Sequence, residues 1–199
     1  RAVSHEVTDP TIDSQVVSLQ ASGADVLLTA TTPKFAAQTI RRVHDMGWRP
    51  MMFMSNVSSS GSAVMQPAGP EKAIGLITSD YRKDQGDPAW ADDPGMNEWR
   101  EFMRKYVPDG ELGDNNYTYA YGAGTTMIHV LRQCGNDLSR ENVMRQASNI
   151  SALEAPTLLP GIKVGTSPTN FSPIRQMQLQ RWDGRSWQRF GSIIEGAQV

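Results

Sequence analysis

Ala21 to Met54 reads ASGADVLLTATTPKFAAQTIRRVHDMGWRPMMFM, a strand, a helix and a second strand in one continuous unit. Asp25 to Ala30 is a short apolar run led by Val26, Leu27 and Leu28, the pattern of a strand covered by helices on both faces. Thr32 stands where a hydroxyl can cap a helix, and Pro33 takes the first helical position, where its missing N–H had no partner to lose. Ala36, Ile40 and Val43 share one face of that helix, and Gln38, Arg41, Arg42 and Asp45 share the other. Gly47 suits the left-handed residue that ends it, and Met51 to Met54 supplies the next strand. The class this implies is α/β with a parallel sheet.

Outward from this unit, Val3 to Val7 alternates as a first strand, and Asp9-Pro10-Thr11 leads into a helix that sets Ile12, Val16 and Leu19 on one face before Gly23 stops it. On the other side lie a polar loop from Ser55 to Ser62, a short helical patch at Ala63 to Met65 and a buried strand at Ala73 to Thr78. Together these predict a four-stranded α/β block with right-handed crossovers. The character then changes. Ser79 to Pro94 is rich in Asp, with Pro and Gly, and reads as an irregular connection between two lobes.

Three helices follow with almost no strands. Trp99, Phe102, Met103 and Tyr106 line one; Tyr117, Tyr121, Gly124, Ile128 and Leu131 line the next, which Gly135 caps; Ser139 opens a third with Val143, Ala147 and Ile150 inward. Ala155 to Pro173 reads as extended loop with a brief strand at Ile162 to Val164. Gln176 to Trp182 and Ser186 to Phe190 form a hairpin around Asp183-Gly184. The helical part has no sheet of its own to cover.

Composition narrows the function. The 199 residues are 39 % hydrophobic and 20 % charged, in the range of a globular protein. A net charge of −2, with no cluster of Lys and Arg, leaves no electrostatic footprint for nucleic acid. Cys134 is alone, so no intrachain disulfide is available. No apolar run approaches the roughly 20 residues that span a bilayer. His5, His44 and His129 are scattered without metal spacing, so neither a metal nor a cofactor is expected. The serines Ser58 to Ser62 lack both the lysine of a phosphate-binding loop and a GxSxG elbow, and Asp92-Asp93 reads as loop and helix cap. A small hydrolase using Ser58 or Ser59 is therefore a weak alternative.

In an open parallel sheet, small molecules bind beyond the carboxyl ends of the strands, where loops converge and helix N-termini present N–H groups. Two such corners are legible. Thr31 and Thr32 offer hydroxyls beside the apolar ring of Phe35, and Asn56 and Ser58 offer polar contacts around Val57. Tyr81 can stack on a ligand from the following strand. For the Thr, Asn and Ser residues, capping and turn formation compete with ligand contact; for Tyr117 and Tyr121, core packing is favoured.

Five segments carry a resemblance: GADVLLTATTPKFAAQTIRRVHDMGW, MMFMSNVSSSGSAVMQPAG, AIGLITSDYRKD, NNYTYAYGAGTTMIHVLRQCG and PGIKVGTSPTNFSPIRQMQLQRWDG. In this order and spacing the chain resembles the type I periplasmic solute-binding proteins, in particular the branched-chain amino-acid-binding branch that serves ABC importers. The resemblance implies two α/β lobes joined by crossing strands, with solute held between them. By that likeness residues 1–78 are the later part of the second lobe, 79–175 a hinge crossing plus closing helices of the first, and 176–199 a crossing strand and hairpin returning to the second.

The resemblance also implies a C-terminal portion whose helices need the missing N-terminal half or a second copy. It implies a periplasmic location with the export signal outside this chain, and a membrane permease as partner. Ligand contacts fall on the same two loops. Amino-acid binders of the family carry a glutamate for the ligand ammonium where this chain has Val57; losing such a charge-assisted partner costs about 1.5–3 kcal/mol. The expected ligand is an aromatic or aliphatic carboxylate without an α-ammonium group. A ligand-sensing domain of a receptor or regulator is the alternative the same fold allows.

Overall fold

The computed structural model describes residues 1–196, which divide into two compact units, Arg1–Asp80 with Leu179–Gly191 and Tyr81–Gln178 with residues 192–196.

The first unit carries three parallel strands, β1 (Val26–Thr29), β2 (Met51–Met54) and β3 (Ile77–Asp80), in register Val26 to Met51 and Phe53 to Ile77. Helix α2 (Pro33–Asp45) crosses over from β1 to β2, and α1 (Asp13–Gln20), which precedes β1, packs beside it. Helix α2 forms as its spacing predicts: Ala36, Ile40 and Val43 are buried, with Phe35, Ala37 and Thr39 beside them, and Asp45 on the wet side pairs with Lys72 at 3.0 Å. Gly47 adopts φ +67 just past its end. The helix faces two core clusters, one with Met54, Val64, Met65, Leu76 and the indoles Trp182 and Trp187, the other with Ile12, Val16 and Leu27. Gly61–Met65 and a short α3 (Gln66–Ala68) supply the helical patch after β2.

Strands β4 (Gln176–Trp182) and β5 (Trp187–Glu195) complete a five-stranded sheet of order β1-β2-β3-β4-β5. They form the expected hairpin, with Gly184 at φ +103 in the turn. The Trp182 amide donates to the Leu76 carbonyl, and the Trp182 carbonyl accepts from Gly75. The end of β4 thus meets the start of β3, and the two run in opposite senses.

Several elements depart from the sequence reading. Val3 to Val7 is not a strand, so the parallel block has three strands and not four. An extended segment becomes a strand only with a ladder partner, and a cavity of about 590 Å³ is lined by Arg1–His5 on one side and by β1 on the other. Strand β1 is covered on one face only: Leu27 is 4 % exposed, whereas Leu28 is 75 % exposed. It is the edge of the sheet, and α1 and α2 bury the side that carries Leu27. Strand β3 begins at Ile77, since Pro70–Ala73 coils into a single turn and Gly75, at φ +91, redirects the chain.

The second unit is helical: α4 (Pro94–Tyr106), α5 (Asn115–Cys134) and α6 (Arg140–Ala147). Its helices do have something to cover. Trp99 and Met103 of α4 and Val130 and Cys134 of α5 pack on Leu158, Leu159, Ile162 and Val164 of the long loop, which takes the place of a sheet. Ile162 to Val164 contributes one bridge, Val164 to Leu153, in place of a strand.

The buried stripe of α5 is Thr118, Val130 and Cys134, while Ile128 and Leu131 are exposed, as are Phe102 and Tyr106 of α4. Tyr117 and Tyr121 are half-buried against the core. Burial and then the hydrogen bond to Glu98 push the Tyr121 hydroxyl up to about 12. Asp93 caps α4 by accepting the Met96 amide at 2.9 Å. It also holds Lys83 at 2.7 Å, and Lys83 donates at 2.9 Å to the Pro156 carbonyl.

Candidate functional site

The carboxyl ends of β1, β2 and β3 converge in the first unit. Residues after β1 lead into α2, whose N-cap Thr32 has an extended backbone (φ −72, ψ 161) and Pro33 behind it. The sequence reading assigned the Thr32 hydroxyl to the cap. In the structure it makes no cap hydrogen bond, and the exposed hydroxyl stands beside a helix start where Pro33 has no N–H and the Phe35 and Ala36 amides both donate to the Thr32 carbonyl. Thr31 Oγ1 is screened from solvent and meets no protein partner. Phe35, assigned to an apolar wall, is fully buried. Its ring packs 4.3 Å from the His5 ring with Lys34 Nζ 4.7 Å above it, because the second residue beyond Pro33 falls on the core side of α2. Its role here is to seat the helix start.

After β2 the chain makes a tight single turn, Asn56–Ser58. The Ser55 amide donates to the Thr29 carbonyl at 2.9 Å, and Ser55 Oγ accepts the Val57 amide. The turn presents Val57, 66 % exposed, with Asn56 half-buried beside it. Ser58 points inward: it is fully buried, and its hydroxyl donates to the Thr31 carbonyl at 2.5 Å, joining the two corners directly.

Ser59 follows, with its hydroxyl 2.8 Å from Asp80 Oδ2 and 2.9 Å from the Asn56 carbonyl, and its own carbonyl accepts the Trp187 indole N–H at 2.8 Å. Ser60 Oγ accepts the Ala63 amide and opens the next turn. Thr31, Thr32, Asn56, Val57 and Ser58 are thus brought together. Tyr81 belongs to the second unit, half-buried against its core with the Arg82 guanidinium 5.2 Å from its ring.

Sequence reasoning passed over Asp80 and Trp187. Asp80 had one usable signal, its place at the carboxyl end of a strand; Trp187 is 128 residues from the serine it holds and left none. Ser58 and Ser59, weighed as nucleophiles, spend their hydroxyls on a backbone carbonyl and on a carboxylate. Among the described residues no group of His, Cys, Asp and Glu is placed to hold a metal ion, and no helix is long and apolar enough to cross a membrane.

Solved structures share this fold. A branched chain amino acid ABC transporter from Thermus thermophilus with bound valine superposes with TM-score 0.79 at 14 % identity, over 99 % of this chain and 52 % of that one. A leucine-binding protein from Thermotoga maritima gives 0.71 at 14 % identity, covering 98 % and 51 %. A fatty acid ABC transporter substrate-binding protein from Thermomonospora curvata gives 0.68 at 21 % identity, covering 95 % and 48 %. The chain therefore spans about half the length of these relatives. Comparison with curated protein sequences gives no match. Residues 1–186 match the family described as periplasmic binding protein, and it is to this family that the chain belongs.

Proposed function

We propose that this chain is part of an exported solute-binding component of an ABC importer, and that the corners at Thr31–Thr32 and Asn56–Val57 contact the solute. The rest of the binding protein would supply the remaining wall, and a membrane permease would receive the cargo. The proposed ligand is a small organic acid without an α-ammonium group, aromatic or aliphatic.

One observation carries the ligand class. The exposed side chain at the tip of the Asn56–Ser58 turn is Val57, while the carboxylate beside that turn, Asp80, is 6 % exposed and already accepts the Ser59 hydroxyl. What the corners offer instead suits an anion: the exposed Thr32 hydroxyl at the positive end of α2, whose first-turn Lys34 adds charge while its ammonium donates to the Asp9 carbonyl at 3.0 Å. Of the relatives, the one described by fatty acid falls in this class and the one holding valine, an α-amino acid, falls outside it.

Calorimetric titration of the intact two-lobed protein tests the reading. Benzoate or a phenylpropanoid acid is expected to bind and leucine not to bind. Tight binding of leucine with no response to the acids would overturn the ligand class.

A further inference from the structure

We infer that Ser58 and Ser59 are positioning residues that set the spacing of the two corners and touch no solute themselves. The inference rests on the reading of those corners as the solute-contacting surface. Both side chains are buried, at 0 % and 3 % exposure, so neither hydroxyl reaches the surface that Val57 occupies. What they reach are the other strand ends. Ser58 Oγ donates to Thr31 O at 2.5 Å, across 27 residues of sequence. Ser59 Oγ has one proton and two acceptors, and the charged Asp80 oxygen at 2.8 Å is the stronger.

Through these bonds the turn after β2 is tied to the loop after β1 and to the last residue of β3. The Trp187 indole fixes the Ser59 carbonyl from β5. Four strands therefore converge on two consecutive serines. A buried hydroxyl without its acceptor is costly, so the corners can separate only by breaking bonds inside the protein. A solute then meets a surface whose spacing is set in advance, which lowers the ordering cost of binding.

Hydrogen exchange on the two-lobed protein tests this without any ligand. Ser58→Ala is expected to speed exchange by about tenfold, the worth of one such bond, in residues 30–36 and 55–60 together. The middle of α2 and the helices of the second unit should keep wild-type rates. Ser59→Ala should loosen 55–60 while sparing 30–36. Uniform acceleration everywhere in Ser58→Ala, or acceleration in 55–60 alone, overturns the coupling.

Binding then separates positioning from contact, with benzoate and a phenylpropanoid acid as probes on the two-lobed protein. Ser58→Ala should weaken whichever probes bind by one common factor, whereas Asn56→Ala should change their ratio. A changed ratio in Ser58→Ala makes Ser58 a contact residue and overturns the inference. Wild-type protein that binds neither probe speaks against the proposed ligand class, and the exchange pattern still decides the role of the serines.

Discussion

At the scale of single residues the second unit depends on Lys83. Its ammonium is 8 % exposed by residue and answers three groups, Asp93 at 2.7 Å, the Pro156 carbonyl at 2.9 Å and the Trp90 ring at 5.4 Å. Burial alone would push the Asp93 carboxyl up, but the hydrogen bonds from Lys83 and from the Met96 amide more than offset this and hold it below the usual carboxylate range. Lys83→Met should lower the unfolding free energy by about 1.5–3 kcal/mol at neutral pH, measured by urea denaturation followed by circular dichroism. Because the folded value is depressed, the stabilisation from Asp93 is complete above its ordinary 3.8 and is lost as pH falls through the folded value. The gap between wild type and Lys83→Met should therefore close in that acid window. Asp93 was legible as a cap from its place before Pro94; its lysine partner, ten residues upstream in an irregular stretch, was not.

Among the elements, the start of α4 shows how closely backbone approaches backbone. A Cβ on Gly95 would run into the Pro156 carbonyl, the same group that Lys83 holds. Gly95→Ala should cost about 1–3 kcal/mol, as overpacking does, read as a lower urea midpoint with an unchanged slope. The elements that were legible are those whose signals are local. Helix α2 has a proline start, a glycine stop and one apolar face, and the β4-β5 hairpin has Asp183-Gly184, where the Ser186 and Arg185 amides bind the Asp183 carboxylate and hold it below its usual range. What was not legible depends on distant partners. Val3 to Val7 has the alternation of a strand but no ladder. Helix α5 carries aromatic and aliphatic residues on more than one face, so its period could not say that Thr118, Val130 and Cys134 would be inside and Ile128 outside. The loops holding the candidate residues do follow the ends of β1 and β2, while Phe35 and Ser58 turn inward because the core of α2 and the Thr31 carbonyl claim them.

The whole molecule leaves considerable hydrocarbon in water. On the sheet of the first unit Val26, Leu28 and Met51 are 50 %, 75 % and 55 % exposed, and on α5 of the second unit Tyr119, Met127 and Ile128 are about half exposed. Each buried Å² of such surface would be worth about 25 cal/mol, and adjoining bare residues of this kind are what hydrophobic dyes detect. The chain on its own should bind such a dye, and Leu28→Lys should reduce the signal without changing the circular dichroism spectrum; an unaltered signal would place the bare surface elsewhere. The indole pair of the first unit has a different consequence. Trp182 and Trp187 stand edge to face with centroids 5.3 Å apart, and the N–H of Trp187 ends on the Ser59 carbonyl, inside the turn that carries Asn56 and Val57. If the proposed solute occupies that turn, its arrival should register in the near-ultraviolet dichroism and emission of tryptophans already in place, an optical gauge that needs no label.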